Sequence, residues 1–230
     1  MFKEKVVGNG KVFYSDLVPE LEHFFTTRES SLNSEENKKL TAKYLGIDVN
    51  DLINPTQTHS SNVEIARLGI NNYPETDALI LTNKEQAVYL RFADCVPVII
   101  YDKSQNIAAI SHAGWRGTVA RIVPKTIEKM QADISNLYVI IGPAISSCCY
   151  SVGEEVITGI KNSVKDYSKL FTDNFVNLKL TNAQQAIELG VPKENIDICP
   201  FCTSCRNDLF FSYRKENGTT NRHNAVIKLR

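Results

Sequence analysis

Histidine and tryptophan are scarce in this chain, with four histidines and one tryptophan in 230 residues. The tryptophan and one histidine share a single stretch, SHAGWRGTV, Ser111 to Val119. An excess of charge of either sign is also missing. Twenty-six basic residues balance twenty-six acidic ones, which argues against a nucleic-acid partner that would need a basic stripe. The start, MFKEKVVGNGKVFY, has no apolar run of the length a signal peptide or membrane helix requires. A cytoplasmic protein with no membrane partner is therefore expected, its six cysteines held as reduced thiols. Internal repeats and Pro/Gly/Ser linkers are absent too, so one domain over residues 1–230 is expected.

What is present suffices for a large core: 43% of residues are hydrophobic and 9% aromatic. Strand-like runs dominate, namely AVYLRF, VPVIIY, IAAISH, LYVII, DLFFSY and AVIKL. Helical spacing appears after Gly117, at Val119, Ile122, Val123, Ile127 and Met130, with Pro124 predicting a kink or restart. Ser151 and Glu154 read as a capping box, and Gly190 with Pro192 as a helix stop. Strands and helices interleave without a regular βαβ rhythm, which predicts an α+β sandwich.

One hairpin carries chemistry. VPVIIYDKSQNIAAISH reads as strand, turn and strand, with Asp102 to Gln105 as the loop. If Tyr101 faces Asn106, Cys95 lies directly across from His112, with α-carbons about 5 Å apart. Pro97 has no N–H to give, so an edge or bulge is expected there. Alone, Cys95 is a small buried hydrophobe and His112 a core ring. Together they suggest an activated thiol or a metal site. His59, in the polar loop PTQTHSSNV, could complete a set of one cysteine and two histidines. Such a set suits zinc with a fourth position open for catalysis.

At these residues the chain resembles a known family. QTHSSNV, TDALIL, FADCVPVIIYD, SHAGWRGTVARI, IGPAISSCCYSVGEEV and FCTSCRNDLFFSYR stand in the order of the YfiH-type laccase-domain or polyphenol oxidase family. The likeness runs from about Phe24 to about Arg222. It implies a layered α-β-β-α sandwich with a large mixed β-sheet, and a zinc ion held by His59, Cys95 and His112. It also implies phosphorolysis of adenosine, inosine, guanosine and 5′-methylthioadenosine, with adenosine deamination beside it. Two departures fall where a nucleoside pocket would be shaped. FFTTRESSLN lacks the glycines that follow the family's arginine, and Asn221 replaces the glycine before Arg222.

For phosphorolysis, Arg28 and Arg116 are candidate phosphate ligands, aided by the helix start after HAGWRG. Trp115 offers a face for the base. For deamination, zinc lowers the pKa of water to roughly 7, and Asp94 or Asp77 is a candidate proton carrier. Ser61 stands where familiar nucleobase deaminases carry a glutamate two residues after the ligand histidine, so other acid–base groups are needed. Cys95, His112 and Asp94 are thus the expected catalytic residues. CPFCTSC resembles a metal run without a nearby fourth ligand, and a structural role is expected for its cysteines. Purine nucleosides and phosphate are the expected partners of a monomer or homodimer. Three rivals stay open: a cysteine hydrolase or deamidase using a Cys95–His112 dyad, a copper oxidoreductase, and a non-enzymatic binding module. Four histidines are too few for a multicopper centre, but a single copper ion is the alternative to zinc.

Overall fold

The computed structural model describes residues 1–230. Its strands form two six-stranded sheets of mixed direction. One holds β1 (Phe2–Val7), β2 (Gly10–Ser15), β3 (Leu21–Thr26), β4 (Leu52–Ile53), β7 (Ala87–Phe92) and β14 (His223–Leu229), in the order β1-β2-β3-β14-β7-β4. The other holds β5 (Val63–Ile65), β6 (Ala78–Leu81), β8 (Val96–Asp102), β9 (Ile107–Ala113), β10 (Leu137–Ile141) and β13 (Ile196–Ile198), in the order β13-β10-β8-β9-β6-β5. A small ribbon pairs β11 (Phe171–Thr172) with β12 (Phe175–Val176).

The two sheets pack face to face over Leu79, Leu90, Ile99, Ile110, Ile140 and Ile227. Helix α1 (Glu35–Leu45) covers the far face of the first sheet, where Leu45 joins the cluster of Val12, Phe24 and Val226. Helices α3 (Ile122–Met130), α4 (Glu154–Ser163) and α5 (Leu178–Leu189) cover the second, packing Ile127, Ile160 and Ala183 against Val98, Ile100 and Ala109. The expected α-β-β-α layering is therefore present, built on two sheets. It also explains why VPVIIY is apolar throughout: Val98 and Ile100 face the helices while Ile99 and Tyr101 face the other sheet.

The hairpin of β8 and β9 forms, but in a different register. Asp102 pairs with Ile107 and Pro97 with His112, so the loop is Lys103 to Asn106. Asp102 stays in the strand because its Oδ1 accepts from the N–H groups of Ser104 and Gln105, while Asn106 turns the chain at φ 51°. The slip is two residues, so Cys95 and His112 keep the same face but meet diagonally. Nor is Pro97 at a sheet edge. It lies second in a central strand, one residue before the pairing with β10 begins.

Three other expectations are settled locally. The chain breaks between α2 (Trp115–Val119) and α3 at Arg121, whose φ is 58°, and Pro124 falls in the first turn of α3, where its missing N–H costs nothing. No capping box forms: Gly153 caps α4 without a side-chain bond, and Ser151 instead bridges to Phe175. DLFFSY is not a strand. Turn bonds from Leu209 and Phe210 back to Arg206 curl it, and Phe210 packs on Phe13, Phe201 and His223.

Candidate active site

The link between β7 and β8, Ala93 to Cys95, carries the chain from one sheet to the other. Asp94 makes the turn at φ 83°, a conformation few non-glycine residues adopt. Its cost is met by three bonds: the Asp94 carbonyl accepts from Ile145 N–H, Oδ1 from the Thr203 hydroxyl (2.7 Å) and Oδ2 from Arg214 N–H (2.7 Å). Cys95 emerges from this turn beside His112 on β9. His59 approaches from the loop after β4, itself at φ 60°. The metal-binding atoms of His59, Cys95 and His112 all lie within 4.8 Å of one another. The two imidazoles meet edge to face with ring centres 4.8 Å apart.

Asp77 organises this cluster. It is wholly buried and its Oδ1 lies 2.7 Å from His112 Nδ1. The same carboxylate accepts from the N–H groups of Thr58, His59 and Ser60 and from the Ser60 hydroxyl. One residue thus fixes the His112 ring so that Nε2 faces Cys95, and shapes the loop that presents His59. Burial opposes the Asp77 charge, but the bonds from His112 and Ser60 outweigh it and hold the carboxyl well below the usual range. With three loop N–H groups, the Ser60 hydroxyl and His112 aimed at it, Asp77 is a positioning group and not a free proton carrier.

The glycines of HAGWRG have a matching purpose. A Cβ on Gly114 would lie 3.0 Å from Cys95 Sγ and 3.4 Å from His59 Cδ2. One on Gly117 would press on the carbonyls of His112 and Ser60 at 3.2 Å. Without side chains, the two segments close on each other. Charge follows the same compactness. Burial alone would raise the Cys95 thiol, yet His112 and His59 bring it down to about 6. Burial alone would lower His112, yet Cys95 and Asp77 lift it to about 9. Without metal, the protein favours a thiolate beside an imidazolium. The donor set fits a borderline-soft divalent ion, with three ligands and room for a fourth.

That room is a cavity of about 920 Å³ lined by His59, Cys95, His112 and Asp94. Trp115 and Arg116 line it too, with the Arg116 guanidinium 4.3 Å from the Trp115 ring centre. Arg28 does not line it. Its guanidinium bonds to the carbonyls of Asn207 and Phe210, pairs with Glu216 and lies over Phe211. The expected phosphate role of Arg28 is thus corrected to one of holding the 207–216 segment. Arg91, Arg214 and Arg222 do line the cavity, and sequence reasoning passed them over as site residues. A signal for Arg91 was present: it is the one charged residue in the apolar run AVYLRF, and the strand leaves it alone exposed. The helix start after HAGWRG is also weaker than expected, because α2 is a single turn of five residues. Tyr150 also lines the cavity, its phenol pushed up to about 12 by burial and by the nearby thiol.

A family model described as multi-copper polyphenol oxidoreductase laccase matches residues 13–230. The chain belongs to this laccase-like family. A laccase-like relative named purine nucleoside phosphorylase, from Clostridium acetobutylicum, is 34% identical over 215 residues, covering 89% of this chain and 90% of its own. A protein of the same name from Staphylococcus aureus is 33% identical, covering 85% and 79%. A relative named adenosine deaminase, from an unknown prokaryotic organism, is 32% identical, covering 76% and 73%. Among solved structures, YlmD of Geobacillus stearothermophilus superposes with a TM-score of 0.90 at 25% identity, over 100% of this chain and 98% of that one. YfiH of Bacillus licheniformis does so at 0.90 and 28%, over 100% and 99%. The laccase-like fold is thus shared along the whole chain.

Proposed function

We propose that this protein is a zinc-dependent purine nucleoside phosphorylase with adenosine deaminase activity, acting on adenosine, inosine, guanosine and 5′-methylthioadenosine. The observation that carries the reading is the opening of the His59, Cys95 and His112 cluster onto an arginine-lined cavity of about 920 Å³. That volume suits a nucleoside with phosphate beside it. The relatives' names supply the two activities.

His59, Cys95 and His112 would hold zinc, which supplies Lewis acidity at the position facing the cavity. In phosphorolysis, a phosphate oxygen forms a bond to ribose C1′ while the bond from C1′ to purine N9 breaks. Arg116, Arg91 and Arg222 surround the space with positive charge, suited to holding a phosphate dianion in line. Trp115 gives a flat wall for the base. Tyr150 keeps its proton at neutral pH and offers a hydrogen bond to the departing purine. Asp94, expected to move protons, acts in this reading as a positioning residue. Its oxygens hold Thr203 and the Arg214 backbone, which steadies the turn that presents Cys95.

Incubation with adenosine and phosphate, following adenine, ribose-1-phosphate and inosine, tests the proposal. Adenine release should require phosphate and fall to background in Cys95→Ala. Release that Cys95→Ala leaves intact would remove the cluster from the reaction.

A second reading rests on the charge state of Cys95 and His112. A thiolate next to an imidazolium is also the ground state of a cysteine hydrolase or deamidase. Metal content separates the two. A metal-free protein that is active, and loses that activity when Cys95 is alkylated, would establish the dyad. Copper in the same site would give a thiolate–copper colour, so a colourless active preparation excludes it.

A further inference from the structure

Five cysteines lie outside this site, and four of them converge. Strands β10 and β13 run parallel and end together, with Ile141 paired to Ile198. The segments that follow therefore travel side by side, tied by Cys199 N–H to the Ile141 carbonyl (2.8 Å) and by a bridge between Ala144 and Cys202. One segment carries the adjacent pair Cys148 and Cys149; the other carries Cys202 and Cys205 in a Cys-x-x-Cys turn. All four sulfurs lie within 4.8 Å of one another, and Cys205 Sγ is 3.5 Å from those of both Cys148 and Cys149. All four thiols are free. Tetrahedral zinc–thiolate bonds of about 2.3 Å set sulfurs about 3.8 Å apart, so the cluster needs only small shifts. Sequence reading left the three-cysteine run Cys199, Cys202 and Cys205 without a fourth ligand. The fold supplies two, from more than fifty residues upstream, and leaves Cys199 out.

Two further features suit a charged cluster. The Ser146 N–H points at Cys202 Sγ (3.4 Å), an arrangement that favours thiolate over thiol. Lys179 is 5% exposed and has no carboxylate partner; its ammonium bonds only to the carbonyls of Cys199 and Phe201. A buried cation without a counter-charge is costly unless an anion stands nearby.

We propose that Cys148, Cys149, Cys202 and Cys205 bind a second, structural zinc ion. On binding, the four thiols release four protons to solvent and form four zinc–sulfur bonds, leaving a site of net charge −2 that Lys179 partly offsets. No position is left for substrate. The ion would clamp the segment leading to Tyr150, which lines the cavity, against the one carrying Thr203, which bonds to Asp94 of the cavity lining.

The test uses the full chain, purified with reductant and without chelator, and counts zinc by mass spectrometry. Cys205→Ser, at an exposed position, should fold as the native chain does by circular dichroism and contain one zinc fewer per chain. The drop is one whether or not the first site is filled, so this proposal and the proposed function fail separately. The His59→Ala, Cys95→Ala double variant should keep one zinc. Loaded with Co²⁺ instead, it should show the intense visible absorption of a tetrahedral thiolate site. Equal zinc in Cys205→Ser and the native chain would overturn the proposal, as would iron with acid-labile sulfide, or a Cys148–Cys205 or Cys149–Cys205 disulfide in metal-free protein.

Discussion

The two cysteine-bearing clusters of this molecule use similar donors for opposite ends. The His59, Cys95 and His112 group has three potential ligands, opens on a cavity, and is oriented by a buried carboxylate. The Cys148, Cys149, Cys202 and Cys205 group has four potential ligands and stands outside that cavity; two of its members are exposed. An incomplete ligand set leaves a place for chemistry, whereas a complete one can only hold. Their mountings differ as well. The first draws on a sheet-to-sheet link, a strand and a loop from distant parts of the chain. The second joins two neighbouring segments that extend paired strands.

Crossing the two clusters gives the largest expected effect. Cys95→Ala should abolish nucleoside turnover, whereas Cys205→Ser should leave it within a few-fold while thermal stability falls. Equal losses from both would erase the functional distinction. Asp77→Asn comes next. It keeps the shape but weakens the charge that orients His112, so zinc affinity and turnover should fall about 10- to 100-fold, measured by chelator competition and steady-state kinetics. The second cluster should be indifferent to this change. Arg116→Ala is milder and should raise KM for phosphate about tenfold with a smaller change in kcat.

A last effect, on stability and not on turnover, concerns the histidines that serve neither cluster. Burial pushes His23 down to about 4, with Ser15 N–H donating to its Nε2 and the Leu21 carbonyl next to its Nδ1. Burial also pushes His223 down to about 3. Both are neutral when folded, so the unfolded chain binds more protons below its ordinary histidine range. Stability is then complete above about pH 6.5 and falls as acid approaches those folded values, by roughly 1.4 kcal/mol per pH unit for each ring. Urea unfolding between pH 7 and 5 measures it. A flat profile would contradict their burial in the neutral form.

Much of the first cluster was legible because its parts are written in short motifs. The diagonal meeting of Cys95 and His112 needed only parity, and a two-residue slip preserves parity. Arg28 misled because charge and loop position do not reveal direction, and Glu216, far along the chain, claims the guanidinium. Arg91, Arg214 and Arg222 were hidden because three separate segments bring them to one cavity. The second cluster was illegible for a related reason. Cys148 and Cys205 become neighbours only through the parallel pairing of β10 with β13, and strand-like runs do not state their partners. The false strand DLFFSY has a local cause: apolar composition alone cannot separate a strand from a turn whose aromatics are buried.

The link Ala93 to Cys95 joins the two sheets and ends on a ligand, while His112 belongs to the second sheet and His59 arrives from the first. Any ion held there spans the seam between layers. Its affinity is therefore coupled to how closely the layers pack, since whatever binds the assembled state alone stabilises that state. Amide exchange in β7 and β9, compared with and without metal, would read that coupling as shared protection on both sides of the seam.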